Sequence, residues 1–175
     1  VYMNVLFRDN VEAREEIASR FDYILVDEYQ DTNRSQYLIL RRLAGQHGNI
    51  CVVGDDSQSI YAFRGAQIEN IINFSKDYPE AKLFRLEQNY LSTVHILNAA
   101  NAVVAHNSRR KAKRLFTTSG DGEKISVYQA ADEREEGSWI GGEIEKAHGK
   151  GVSYDDIAVF YRTNAQSRIL EDMFL

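Results

Sequence analysis

The stretch FDYILVDEYQD at residues 21–31 constrains the fold more than any other part of the chain. Its apolar part, Tyr23–Val26, is rich in β-branched and aromatic side chains, which is typical of a strand buried on both faces. Three acids follow, Asp27, Glu28 and Asp31. Because ligands bind beyond the carboxyl ends of parallel strands, acids there are suited to hold a divalent metal ion and polarise water. Acids also end strands and cap helices, so the pattern alone leaves both interpretations open.

Strands and helices alternate along the chain, which predicts an α/β fold with a parallel sheet flanked by helices. The predicted strands are 23–26, 50–53, 82–86, 124–129 and 157–161. The predicted helices are 1–20 with a break near 9–10, 33–44, 68–74, 94–107, 133–148 and 165–175. The first three strands each end in a polar cluster, and those clusters should share one edge of the sheet and form one composite site.

Composition supports a packed core, because 43% of the residues are hydrophobic. No apolar run approaches the length of a membrane span, and no basic, then apolar, leader follows Val1, so we expect a cytoplasmic piece of a longer protein. The single cysteine, Cys51, lies in an apolar run and is expected to be buried and reduced. A net charge of −5 is unusual for a small nucleic-acid-binding module, although motor enzymes bind nucleic acid through local patches.

Four motifs, in order along nearly the whole chain, resemble those of the superfamily-one DNA helicases of the UvrD, Rep and PcrA type. They are VDEYQDT at 26–32, VGDDSQSIYAFRGA at 53–66, LEQNYLS at 86–92 and YRTNAQSR at 161–168. The resemblance implies a RecA-like P-loop NTPase fold, with residues 1–91 in the first motor domain and 92–175 beginning the second. It also implies ATP and Mg²⁺ as cofactors and single-stranded and duplex DNA as partners.

The resemblance implies roles for four residues of a nucleotide site. Asp27 would hold the Mg²⁺ bound to the ATP phosphates, and Glu28 would orient and deprotonate the attacking water. Gln58 would contact the γ-phosphate or that water, although a glutamine that only caps its loop would give the same pattern. Tyr90 would stack on the adenine.

Three residues next to these positions, Gln30, Asp31 and Leu91, are not expected to take a direct part in catalysis. Gln30 and Asp31 are predicted to brace the site rather than to touch the nucleotide. Leu91 stands where the family pattern has an arginine that serves as a finger on the γ-phosphate, and it can neither carry charge nor donate a hydrogen bond. We therefore assign Leu91 no catalytic role.

The resemblance also implies DNA contacts. Tyr61 and Phe63 would stack on bases of a single strand and Arg64 would pair with a phosphate, although both rings could equally be core residues. Arg162 and Asn164 would face the DNA backbone or bases, unless they belong to a helix-capping network. The basic residues at 109–114 most simply form a solvated face, with duplex contact as the alternative reading.

Two other functions stay open at this point. One is the motor subunit of a helicase–nuclease, and the other is a non-hydrolytic Mg²⁺-binding α/β regulatory module of the phosphoacceptor-receiver kind. The phosphate-cradling pattern Gly-x-x-x-x-Gly-Lys-Ser/Thr does not occur in these residues. We therefore expect the chain by itself to have little or no ATPase activity.

Overall fold

The computed structural model describes residues 2–108 and 113–174 of the chain, which divides into two compact units, Val1–Lys124 and Ile125–Leu175. The first unit contains α1 (Tyr2–Asp9), α2 (Val11–Ala18), β1 (Ile24–Val26), α3 (Arg34–Ala44), β2 (Ile50–Val52), α4 (Glu69–Ile72), α5 (Phe74–Asp77) and α6 (Val94–Ala105). The second contains α7 (Glu133–Gly149) and α8 (Asn164–Phe174). The division between motor domains at 91/92 stays a prediction.

The sheet of the first unit consists of β1 and β2, which run parallel with Leu25 opposite Cys51. The backbone N–H of Val53 donates to the carbonyl of Val26 at 2.8 Å, and that of Tyr29 donates to the carbonyl of Val53 at 2.9 Å. These two bonds continue the pairing past the ends of both strands. The α/β class and the shared edge for the first two polar clusters are therefore confirmed.

One face of this sheet is open, which contradicts the prediction that β1 is buried on both faces. The Leu25 side chain is 78% exposed, and Cys51 is exposed as well, so its predicted burial was wrong. A cavity of about 600 Å³ lies against this face and is lined by Tyr23, Leu25, Cys51, Pro79 and others. An apolar run predicts burial only where another element covers it, and here these side chains face the cavity.

Three predicted strands, 82–86, 124–129 and 157–161, are not strands in the structure. In the described part of the chain these segments have no hydrogen-bonded strand beside them, and a strand is defined by such a partner. Near the first of them, the described residues form a parallel bridge between Gln88 and Phe116. Apolar, β-branched composition predicted strand conformation but could not supply the neighbour.

Local capping explains where the helices begin and end. The Asn33 side chain accepts from the backbone N–H of Gln36, and the Gln36 side chain accepts from that of Asn33, which is a capping box at the start of α3. The Asn10 side chain accepts from the backbone N–H of Ala13, which caps α2 and produces the predicted break between α1 and α2. The helix predicted at 68–74 is instead two short helices, α4 and α5, that meet at Asn73.

The core of the first unit fixes the turn that follows β1. Tyr29 is fully buried and packs edge-on against Phe74, with ring centroids 5.6 Å apart. Burial, together with the nearby Tyr78, Tyr37 and Asp77, raises the pKa of the Tyr29 phenol to about 12, so this ring stays neutral. The acids on either side of Tyr29 are therefore attached to a rigid part of the molecule.

The second unit is a pair of helices that pack through a glycine. A Cβ on Gly137 of α7 would lie 3.1 Å from Cγ of Met173 in α8, so the small residue permits close approach of the helices. Tyr128 and Trp139 stack with their ring centroids 4.7 Å apart.

Within residues 2–108 and 113–174, no helix combines the length and the apolar character needed to span a membrane.

Replacing Asn33 by alanine should lower the free energy of unfolding by about 1 kcal/mol, because the first turn of α3 loses its side-chain acceptor. Urea unfolding followed by circular dichroism measures the change. Asn98→Ala is the matched control, since Asn98 is exposed inside α6 and alanine favours a helix there. Equal stability of Asn33→Ala and the wild type would contradict the assigned cap.

Candidate functional site

Asp27 and Glu28 follow β1 directly and occupy a strained turn. Oδ1 of Asp27 accepts from the backbone N–H of Glu28 at 2.8 Å, while its second oxygen makes no hydrogen bond within the described residues. Glu28 has φ 48° and ψ 43°, and in residues 2–108 and 113–174 no other non-glycine residue has positive φ. Such backbone costs about 1–3 kcal/mol and persists only where the surroundings hold it, often at functional sites.

The buried side-chain amide of Gln30 helps to maintain the strained conformation of Glu28. Its Nε2 donates to Oε2 of Glu28 at 2.6 Å, and its Oε1 accepts from the backbone N–H of Asp55 at 3.0 Å. Gln30 thus connects the ends of β1 and β2, while its predicted role of bracing a nucleotide site stays a prediction. Asp31 makes no comparable contact, since its buried Oδ1 has no hydrogen-bond partner in the described part of the chain.

Gly54 creates the space for this bridge. A Cβ at this position would collide with Oε1 of Gln30 and would lie 2.9 Å from Cδ1 of Ile71 and 3.2 Å from the backbone nitrogen of Tyr29. The Gln30 oxygen is held by the N–H of Asp55, and the Tyr29 nitrogen is held by the carbonyl of Val53. Only glycine therefore lets the end of β2 approach the Gln30 amide.

Asp55 organises the loop that carries Gln58. Its Oδ1 accepts from the backbone N–H of Ser57 at 2.8 Å, and its Oδ2 accepts from Nε2 of Gln58 at 3.1 Å. Burial raises the pKa of Asp55, but hydrogen bonds from Lys113, Ser57 and Gln58 outweigh burial and hold that pKa below its usual value. Asp55 therefore remains a carboxylate that restrains the amide of Gln58.

Lys113 is a member of this site that sequence reasoning missed. Its ammonium forms an ion pair with Oδ1 of Asp55 and lies 3.9 Å from Oδ1 of Asp56, and its side chain is only 20% exposed. The prediction of a solvated basic face was therefore wrong for Lys113, whereas Arg109, Arg110 and Lys111 lie outside the described residues. Nothing in the local pattern of basic residues distinguishes Lys113 from its neighbours, because its partners are distant in sequence.

Tyr90 lies on an exposed turn. Oδ1 of Asn89 accepts from the backbone N–H groups of Leu91 and Ser92 and shapes this turn. The Tyr90 side chain is 74% exposed, and its hydroxyl donates to Oε1 of Gln88 at 3.2 Å. The ring is thus accessible for stacking. Among the described contacts, none joins it to Asp27, Glu28 or Gln58.

Tyr61, Phe63 and Arg64 form an exposed cluster on the same loop as Gln58. The two ring centroids are 6.0 Å apart, and the guanidinium carbon of Arg64 lies 5.3 Å from the Tyr61 centroid and 5.4 Å from the Phe63 centroid. Phe63 is 77% exposed and Tyr61 38%, so the alternative that they are core residues was wrong. Two flat rings and a cation on one surface suit a ligand with flat bases and charged phosphates.

The far end of this loop is attached to the turn after β1. The backbone N–H of Gln67 donates to the carbonyl of Thr32 at 3.0 Å, and Asn33 forms an antiparallel bridge with Ala66. Nδ2 of the buried Asn70 donates to the carbonyl and hydroxyl of Thr32 at 3.0 and 3.1 Å. The loop is therefore held to the acidic turn at both of its ends.

Arg162 and Asn164 lie at the start of α8 in the second unit. Oε1 of Gln166 accepts from the backbone N–H groups of Arg162 and Thr163, both at 3.0 Å. The helix-capping interpretation thus applies to Gln166. The Arg162 guanidinium and the Asn164 amide are exposed and make no hydrogen bond with the residues that the structure describes.

Comparison with known proteins assigns both parts of the chain. Residues 1–79 match the UvrD/REP helicase N-terminal domain, and residues 84–175 match the UvrD-like helicase C-terminal domain. The chain belongs to the UvrD-like helicase family. The resemblance found in the four motifs is therefore confirmed over nearly the whole sequence.

Two named members of the UvrD-like family are similar along most of the chain. An ATP-dependent DNA helicase PcrA of Staphylococcus epidermidis is 52% identical over 170 residues, and one of Staphylococcus aureus is 53% identical over the same length. Each match includes 97% of this chain but only 23% of the relative. The chain thus spans less than a quarter of these UvrD-like helicases.

The open carboxylate oxygen of Asp27 fits the way UvrD-like helicases are expected to bind Mg²⁺. The described residues contain no group of three or more His, Cys, Asp or Glu side chains that could hold a metal by themselves. Mg²⁺ in nucleotide sites is usually bound by one or two carboxylates together with substrate phosphates and water. An exposed aspartate oxygen with no hydrogen bond within the described residues is a suitable ligand of that kind.

Replacing Gly54 by alanine should lower the free energy of unfolding by about 1–3 kcal/mol, because the new Cβ forces Gln30 or the end of β2 to move. Urea unfolding measures the loss. Gly142→Ala is the control, since a Cβ there meets nothing within 4 Å and alanine stabilises a helix interior. A Gly54→Ala protein as stable as the wild type would show that the bridge tolerates displacement.

Proposed function

We propose that these residues form the central part of an ATP-dependent DNA helicase that couples ATP hydrolysis to the unwinding of duplex DNA. Membership of the UvrD-like family and the names of the PcrA relatives support this function. The observation that carries it is the hydrogen-bonded series Glu28, Gln30, Asp55 and Gln58. This series joins the two motifs from which the nucleotide site of the family is expected to be built.

Within this function, Asp27 binds Mg²⁺ through its open oxygen. Bound Mg²⁺ supplies positive charge that neutralises the phosphates. Glu28 orients the attacking water and accepts its proton, and the Gln30 amide holds the carboxylate in place for that task. The strained backbone of Glu28 supports the assignment, because positive φ at a carboxylate is maintained at a cost in stability.

Gln58 and Tyr90 complete the proposed nucleotide contacts. Nε2 of Gln58 is held by Asp55, and its Oε1 makes no hydrogen bond within the described residues, so this oxygen can accept from the attacking water. A small rearrangement that releases Nε2 from Asp55 lets it donate to a phosphate instead. The exposed ring of Tyr90 stacks on the adenine.

DNA binding is assigned to two exposed groups of residues. Tyr61 and Phe63 stack on bases of a single strand without reading sequence, and Arg64 pairs with a phosphate. In the second unit, Arg162 and Asn164 contact the backbone of the strand near the start of α8. Because Gln58 and Tyr61–Arg64 share one loop, ATP binding and hydrolysis can alter the affinity of this loop for DNA.

The wider assignments follow from the family resemblance. Residues 1–91 belong to the first RecA-like motor domain and 92–175 to the second, and movement is 3′ to 5′ along the single strand. The protein acts in the cytoplasm in repair or replication. Family membership favours this motor over an Mg²⁺-binding regulatory module, because such a module has no need of Gln58 or the exposed aromatic cluster.

In the whole protein, Glu28→Gln should reduce the ATPase rate stimulated by single-stranded DNA by at least about 100-fold, because an amide cannot accept the proton of the attacking water. ATP binding, measured by equilibrium titration, should stay within about threefold, because Glu28 acts on water rather than on the nucleotide. Glu12→Gln, an exposed change on α2, is the control. Retention of a tenth of the wild-type rate would contradict the role of Glu28.

Phe63→Ala should weaken binding of the whole protein to oligothymidine by about fivefold or more, because one aromatic stacking contact contributes about 1–3 kcal/mol. Phe63→Trp should bind as tightly as the wild type or more tightly, since indole offers a larger flat surface. Fluorescence anisotropy at one fixed salt concentration measures both. Equal affinities of the alanine and tryptophan variants would exclude stacking at this position.

A further inference from the structure

The segment Lys113–Phe116, called the 113–116 strap below, connects two loops of the first unit. At one end, the Lys113 ammonium pairs with Asp55 and approaches Asp56. Both carboxylates are shielded from solvent, with Asp55 22% and Asp56 6% exposed. Two neighbouring carboxylates in such a place repel each other, and the cation between them offsets that repulsion.

The other end of the 113–116 strap is fixed beside Tyr90. The backbone N–H of Phe116 donates to the carbonyl of Glu87 at 3.0 Å, and the carbonyl of Phe116 accepts from the N–H of Asn89 at 2.7 Å. Between these ends, Asn101 of α6 holds Leu115 through its side-chain amide, which donates to the Leu115 carbonyl at 2.9 Å and accepts from its N–H at 3.3 Å.

Asp55 makes the connection from the strap to Gln58. Its Oδ1 forms the ion pair with the Lys113 ammonium and accepts a hydrogen bond from the N–H of Ser57. Its Oδ2 accepts a hydrogen bond from the side-chain amide of Gln58. If the cation is removed, Asp55 loses its ion-pair partner, and the carboxylate that holds Gln58 is less restrained. The orientation of the Gln58 amide therefore depends on a residue outside the four motifs.

We propose that Lys113 is a positioning residue for ATP hydrolysis, which acts through Asp55 on Gln58, and that the 113–116 strap links the Tyr90 loop to the Gln58 loop. This inference rests on the proposed function, because it concerns the same nucleotide site. In this proposal Lys113 acts through Asp55 and not by direct contact with the nucleotide. Its ammonium holds the Asp55 carboxylate, and that carboxylate holds the side-chain amide of Gln58.

The first test is kinetic and uses the whole protein that contains these residues. Lys113→Met should lower kcat of the DNA-stimulated ATPase by about tenfold and change KM for ATP by less than about twofold, because Gln58 acts in turnover rather than in nucleotide capture. Lys113→Arg keeps the charge and should recover at least half of the wild-type kcat. Lys76→Met is the control, since Lys76 is exposed on α5 and forms no ion pair within the described residues.

The second test does not depend on activity. In the nucleotide-free protein, hydrogen exchange of the Ser57 and Gln58 amides should be about tenfold faster in Lys113→Met than in the wild type, while amides of α3 keep their rates. Lys113→Arg should exchange like the wild type. If Lys113→Met does not fold, Lys113→Gln, which also lacks the charge, serves for both measurements.

The outcomes separate this inference from the proposed function. A wild-type protein without DNA-stimulated ATPase contradicts the proposed function, and the exchange rates still decide whether Lys113 orders the loop. An active wild type with a Lys113→Met variant that matches it in kcat and exchange overturns the inference alone. Equal acceleration of exchange in α3 and in the loop also overturns it, because Lys113 would then stabilise the unit in general.

Discussion

The rest of the site depends on one buried amide. Gln30 donates to the Glu28 carboxylate and accepts from the backbone N–H of Asp55, so a single side chain fixes the ends of both strands relative to each other. A buried amide left without partners would cost about 1–3 kcal/mol, which makes displacement of either strand end unfavourable. Gly54 is required at this point because any larger residue would occupy the space of the amide.

The strained backbone of Glu28 is maintained by the rigid contacts of the two residues that follow it. Left-handed backbone at a glutamate is unfavourable by itself. The next residue, Tyr29, is anchored in the core against Phe74, and Gln30 holds the glutamate side chain. Folding of the core thus sustains a conformation that the local sequence would not adopt, and the carboxylate is placed before any ligand arrives.

The loop from Gly54 to Ala66 carries both proposed functions of the first unit. One end is held by Gln30 and Lys113 through Asp55, and the other by the bridge between Ala66 and Asn33. Between these anchors lie Gln58 and the exposed Tyr61–Arg64 cluster. A short loop with fixed ends transmits displacement from one part to the other, which is the physical basis for coupling between nucleotide and DNA in the function we propose.

The sequence by itself determined the features that arise between residues close in the chain. The α/β pattern, the helix break near residues 9–10, the helix that begins near Asn33 and the acids after β1 all follow from local chemistry, and the motifs identified the family. Only the tertiary structure decided the pairing of Lys113 with Asp55, the exposure of Tyr61 and Phe63, and the open face at Leu25 and Cys51. It also decided that segment 82–86 has no strand partner among the residues that the structure describes. Each of these depends on whether a distant segment supplies a partner or a cover, and residue type alone does not contain that information.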